Sequence, residues 1–162
     1  MAITIDETVG GVNSNSYVTE AEADTYFETR LNSSAYTGAG GEVKKAALVN
    51  ATFRLDHERF LGRSANDAVT QKLRWPRFGL NDRDGRIINS DIIPLEIKHA
   101  QFELALALLT ADLQTVNTLD KFKSIKVDTI ELEPNLGFAN KLPDEVRRLI
   151  SHFLGHGELI RG

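Results

Sequence analysis

LEIKHAQFELALALLTADLQ, residues 95–114, decides the fold class. Ile97, Ala100, Leu104, Leu108 and Ala111 recur at helical spacing, and Phe102, Leu106, Leu109 and Leu113 make a second apolar face. No breaker interrupts the run, and Pro94 suits a first helical turn. The stretch predicts one long helix and sets the class as mainly α.

Working back towards the N-terminus, LRWPRFGLNDRDGRIINSDIIP at 73–94 holds the only tryptophan and two of the four prolines. Trp-Pro forces an extended backbone at Trp75, so this segment predicts an excursion of loop and short β structure crossing the helices. Before it, EVKKAALVNATFRLDHERFLG predicts a helix ending near Gly62. Ala47, Ala51 and Leu55 line one side of that helix, with Ala46, Val49, Phe53 and Phe60 on another. A surface helix shows a single stripe, so this one is expected to be sandwiched. NSSAYTGAGG reads as loop. The first helix starts at SYVTEAEADTYFETRL, where Thr19 and Glu22 form a capping box and Val18 with Ala23 a hydrophobic staple. Tyr26, Phe27 and Leu31 are its expected inward residues.

Residues 1–16, rich in Gly, Asn, Ser and Thr, read as an arm that is mobile unless a partner or neighbour orders it. Beyond the long helix, SIKVDTIELE predicts a short strand or loose hairpin. Pro143 opens a last helix, DEVRRLISHFL, stopped by Gly155. The expectation is a single-domain bundle of about four helices, with an arm (1–16), a core (17–154) and a flexible tail (155–162).

The 162 residues suffice for one domain with a real core. No apolar run approaches the roughly 18 residues of a membrane span, and MAITIDETVGG lacks the basic and apolar regions of a signal peptide. The absence of cysteine excludes disulfides, thiol catalysis and cysteine-bound zinc. A net charge of −4 disfavours a tight, sequence-independent grip on nucleic acid, though not a contact limited to one patch.

Each candidate chemical motif is weak. With Gly85 at position 6 of an EF-hand, Asp82, Asp84 and Asp91 fall at ligand positions, but Leu80 stands at position 1 and Arg83 and Arg86 add positive charge. NDRDG therefore reads as a turn. TGAGGEVKK lacks the spacing and strand of a phosphate loop. His152 and His156 have metal-pair spacing without an intervening Glu, and His57 and His99 lie near no nucleophile signature. No metal, cofactor or catalytic residue is expected. Trp75, Pro76, Arg77 and Phe78 admit two readings, as core or as subunit interface.

In order, SYVTEAEADTYF, KKAALVNATFRLD, LRWPRFGLNDRDGRII and IPLEIKHAQFELAL resemble the small head–tail adaptor (connector, head-completion) proteins of tailed phages. Many members carry the label "putative DnaT-like single-stranded DNA-binding protein". The most specific pieces are Ser16-Tyr17-Val18-Thr19, Leu73 through Gly79, and Asp84-Gly85 followed by Ile93-Pro94. The likeness spans residues 16 to 110, and the C-terminal part matches less well. It implies a structural virion protein without cofactor or turnover, made in the host cytoplasm and placed in the neck. The subunits would form a ring, dodecameric by the resemblance, beneath the portal protein. That ring would receive a tail terminator or other completion protein, and DNA would pass through it without specific binding. Phe153, Leu154, Leu159, Ile160 and Arg161 are the expected portal-docking residues. Trp75, Pro76, Arg77, Phe78, Asp84 and Gly85 are expected to fix shape or subunit contacts. The alternative is a single-stranded DNA-binding module using Trp75, Phe78, Arg74 and Arg77 for stacking and phosphate contact.

Overall fold

The capping box forms as its residue types require. Thr19 Oγ1 accepts from the Glu22 backbone N–H at 3.0 Å, and Glu22 Oε2 accepts from the Thr19 N–H at 2.8 Å. It opens α1 (Glu20–Thr29) in a computed structural model that describes residues 2–67, 69–110 and 142–155. The other elements are α2 (Ser34–Thr37), α3 (Gly41–Leu55), β1 (Arg63–Ser64), β2 (Arg77–Phe78), α4 (Leu95–Thr110), α5 (Asp144–Ile150) and a 3-10 turn (Ser151–Phe153). The fold is mainly α, with one antiparallel hairpin pairing Arg63 with Phe78 and Ser64 with Arg77. No described helix is long and apolar enough to cross a membrane.

The sandwiched helix is α4. Seven consecutive helical positions cannot all face one way, yet Ala100, Gln101, Phe102, Glu103, Leu104, Ala105 and Leu106 are all buried. A helix enclosed on every side must pack against several partners, and α2, α3 and α5 supply them. The sequence had pointed to α3 for this role. Instead α3 buries one stripe, Ala47, Leu48, Ala51, Thr52 and Leu55, and leaves Phe53 65% exposed. Phe53 sits about 200° around the helix from both Ala51 and Leu55, at 100° per residue, so it faces away from the stripe.

Two polar side chains tie the enclosed helix to its surroundings. Gln101 donates to Ser16 Oγ at 2.8 Å and to the Leu48 carbonyl at 3.0 Å, and accepts from the Tyr17 N–H at 3.1 Å. Glu103 takes two bonds from Arg30, at 2.7 and 3.0 Å, and one from the Tyr26 hydroxyl at 2.6 Å. Burial disfavours the Glu103 carboxylate, but these donors outweigh it and hold its pKa below the ordinary value.

Several local expectations need correction. Leu31 is 79% exposed because α1 ends at Thr29 and the chain turns extended at Arg30. The loop at 32–41 contains the one-turn α2, which delivers a fully buried Tyr36 against Phe27. The arm is tied down: Asp6 and Asn15 exchange hydrogen bonds, Asn15 Nδ2 donates to the Thr4 carbonyl, and the Ile3 N–H reaches Glu42. It forms no strand.

Helix α3 stops seven residues before Gly62. The Asp56 carboxylate accepts from the Tyr17 hydroxyl and from the Arg74 N–H, fixing the end of the helix from two distant segments. Gly62 serves the hairpin instead. Its φ is +70°, and a Cβ there would lie 2.6 Å from the Phe78 carbonyl oxygen. At the other end, α5 tightens into the 3-10 turn, and the Gly155 N–H donates to the Arg59 carbonyl at 2.8 Å. The predicted strand at 124–133 lies outside the described residues.

Candidate functional site

The 73–94 excursion begins in the core. Trp75 is 1% exposed and meets Phe60 and Phe153 edge-to-face, with centroids 5.6 and 5.0 Å away. The Trp75–Pro76 bond is cis, and Pro76 is buried. Arg77 is buried as well. Its guanidinium donates to the carbonyls of Leu61 (2.6 Å), Gly62 (2.9 Å), Arg74 (3.0 Å) and Phe60 (3.4 Å). Burial, with Arg74 nearby, lowers its pKa from the ordinary arginine value.

Phe78 is half-exposed, and the Arg63 guanidinium lies 4.7 Å from its ring centroid. NDRDG is the turn its composition predicts. Asp82 Oδ1 accepts from the N–H groups of Asp84 and Arg86, Gly85 has φ +80°, and Arg86 pairs with both Asp82 and Asp84 at 2.8 Å. Among the described residues no group of three or more His, Asp or Glu side chains is placed to hold a metal ion.

The sequence-derived stacking platform is therefore not assembled. Trp75 and Arg77 are spent internally. Phe78 pairs across the hairpin with Arg63, whereas its neighbour Ser64 faces the opposite side. Of the expected docking residues, Phe153 is fully buried, and Leu154 is half-buried in a bridge to Phe60. A docking role for Phe153 would need a surface it does not have. Leu159, Ile160, Arg161 and His156 lie outside the described residues.

A different site lies on the other side of the hairpin. The C-terminal part of α3, Ser64 and residues 71–74 line a groove of about 660 Å³. Phe53 and His57 stand at its α3 wall, with ring centroids 4.5 Å apart and an interplanar angle of 67°. The His57 imidazole is held by Nδ1, 2.7 Å from the Phe53 carbonyl oxygen, which assigns Nδ1 the proton. Lys72 and Arg74 also line the groove, both exposed and neither in a salt bridge among the described residues, and Arg74 Nε donates to the Asp56 carbonyl at 3.3 Å.

Asp56 itself lines the groove. Burial raises its pKa, opposed by the Tyr17 hydroxyl and Arg74. Gln71 and Asn15 also line the groove but have committed their amides. Gln71 donates to the carbonyls of Leu73 and Pro76 and accepts from the Asn66 N–H, and Asn15 bonds Asp6 and Thr4. The arrangement offers an aromatic face, two exposed cations, and one carboxylate with acceptor capacity to spare.

Two other depressions offer less. A groove between the arm and α1 has Glu7, Glu20 and Asp24 against Lys45, a balance that repels anions. A cleft beside α5 matches Arg83 and Arg148 with Glu103 and Glu145. Of the groove residues, sequence reasoning assigned a binding role only to Arg74, weighed His57 as a catalytic or metal candidate, and named Leu73 within the family-specific stretch. Phe53 was assigned to an apolar face. A helical wheel that stops at Leu55 is the signal that places it outside.

No curated protein and no solved structure matches the chain. The model of one protein family matches residues 1–160, nearly the whole length. The chain belongs to the family described as "Putative DnaT-like ssDNA binding protein".

Proposed function

We propose that the protein binds single-stranded DNA, without catalysis, in the groove between the end of α3 and the 64–74 segment. The observation that carries this reading is that the exposed Phe53 ring and two exposed cations, Lys72 and Arg74, line one groove. Bases stack on exposed aromatic rings whatever their identity, while cations hold the backbone. The family's description supports the same ligand. A net charge of −4 keeps the contact local and modest in strength. The test is fluorescence anisotropy with a labelled single-stranded oligonucleotide at low salt. Binding by the wild type, weakened about tenfold or more in Phe53→Ala, is expected. Binding no better than that of a neutral control protein overturns the reading.

A second reading is the head–tail adaptor ring. It is favoured by Ile87, Ile92 and Leu95, which are 82%, 46% and 61% exposed and fall close together at the end of the excursion and the start of α4. Large uncovered apolar side chains in one short stretch suit contact with another subunit or with a portal. Mixing the protein with a portal protein and imaging the product tests it. Absence of a ring, alone or on the portal, sinks the adaptor reading and leaves the DNA reading standing.

A further inference from the structure

We propose that the groove takes the base edge inward, keeps the phosphate outside, and selects bases with adjacent N–H donors, guanine above all. This rests on the single-strand reading. Phe53 and Asp56 are one helical turn apart, and side chains at that spacing are neighbours. A base lying on the Phe53 ring therefore brings its edge to the Asp56 carboxylate.

That carboxylate accepts one bond on each oxygen, from the Tyr17 hydroxyl and the Arg74 N–H, and each oxygen retains a further lone-pair site. The closing turn of α3 adds its own negative end at the same place. Asp56 occupies the C-cap position, and the carbonyls of Thr52, Arg54 and Leu55 already accept the N–H groups of Asp56, His57 and Glu58. A phosphate is repelled there. Arg74 Nε is held by the Asp56 carbonyl at 3.3 Å, which leaves the exposed Lys72 as the groove cation free to attract it.

What suits a fixed acceptor is a donor. Guanine offers N1–H and the N2 amino group side by side, so one carboxylate can take two parallel bonds. Hypoxanthine keeps N1–H and lacks the amino group. Cytosine and adenine each offer one amino group beside a ring acceptor. Thymine offers a single N–H flanked by two carbonyl oxygens, which the carboxylate repels. Neighbouring amides do not compete for this choice, because Gln71 and Asn15 are bonded elsewhere.

The experiment compares the full chain's affinity for labelled oligonucleotides of equal length: all-thymine, alternating thymine–guanine, thymine–hypoxanthine and thymine–cytosine. Thymine–guanine is expected to bind about tenfold more tightly than all-thymine, the range of one good bidentate contact. Hypoxanthine in place of guanine should lose most of that gain, and Asp56→Asn should bring the guanine-to-thymine ratio near one. The hypoxanthine comparison needs no variant, so it decides even if Asp56→Asn fails to fold. Equal affinities across the series, or guanine preference untouched by hypoxanthine, overturn the proposal and leave single-strand binding intact. No binding to any oligonucleotide overturns the underlying reading instead.

Discussion

Trp75 and Phe153 meet edge-to-face, 5.0 Å between centroids, and so join the start of the excursion to the 3-10 turn after the last helix. Both side chains are almost wholly removed from solvent. Trp75→Ala should cost about 3–5 kcal/mol, because truncating a packed indole leaves a cavity bordered by Phe60 and Phe153. Urea unfolding measures it. A loss below about 1 kcal/mol would mean that the ring is not a core element.

Arg77 sets a second test. A lysine carries the charge but not the planar fork that reaches four carbonyls at once. Arg77→Lys should therefore destabilise by about 2 kcal/mol, through carbonyls left without donors. If Arg77 instead held DNA, the same change would lower oligonucleotide affinity and spare the unfolding midpoint.

Gln101 is fully buried and bonds Ser16, Tyr17 and Leu48. Gln101→Leu should destabilise by about 2–3 kcal/mol despite its greater hydrophobicity, since each orphaned partner loses its bond without regaining water. Thermal unfolding of the variant checks this, and a raised midpoint would refute it.

The pH dependence near neutrality should come from His152. Its Nδ1 accepts from Arg83 Nε at 3.3 Å, and Arg83 also donates to the Arg148 carbonyl, clamping the NDRDG turn to α5. Burial and then the Arg83 charge lower the imidazole pKa below its ordinary 6.5, while Glu96 and Asp82 pull the other way. A depressed folded value means the contribution is complete above 6.5 and fades as pH falls through that lower value. Urea midpoints should drop as the pH falls below 6.5 in the wild type. They should drop less in His152→Gln, which keeps an acceptor for Arg83. Glu103, whose pKa is also lowered, acts in the same direction but in the window below 4.5.

Salt titration tests the groove. If Lys72 and Arg74 each neutralise one phosphate, log affinity against log salt should slope by about −1.4. Lys72→Gln should reduce the slope by about 0.7. A steep slope unaffected by that change would move the contact elsewhere.

Local chemistry alone settled a good part of this molecule. The α4 periodicity, the Thr19–Glu22 capping box and the Asp82–Gly85 turn depend on residues within a few positions of one another, so the sequence states them directly. The mainly α class follows from them. Where α3 ends could not be read that way, because Asp56 is held by Tyr17 and Arg74, 39 and 18 positions away. The same holds for Phe60 and Gly155, which are fixed by partners at the far end of the chain.

The functional surface was decided by those distant contacts. Trp75, Arg77 and Phe53 are all residue types that serve either a core or a binding face. Packing against Phe60 and Phe153 took Trp75 inward, and the carbonyls around Gly62 took Arg77. Packing of the Ala47–Leu55 stripe of α3 into the core left Phe53 outside. Helical periodicity by itself determined the class of fold, and composition the absence of thiol chemistry. Only the tertiary structure decided which aromatic and which cations face solvent together, since exposure depends on every neighbour in space and periodicity reports only the neighbours along the helix.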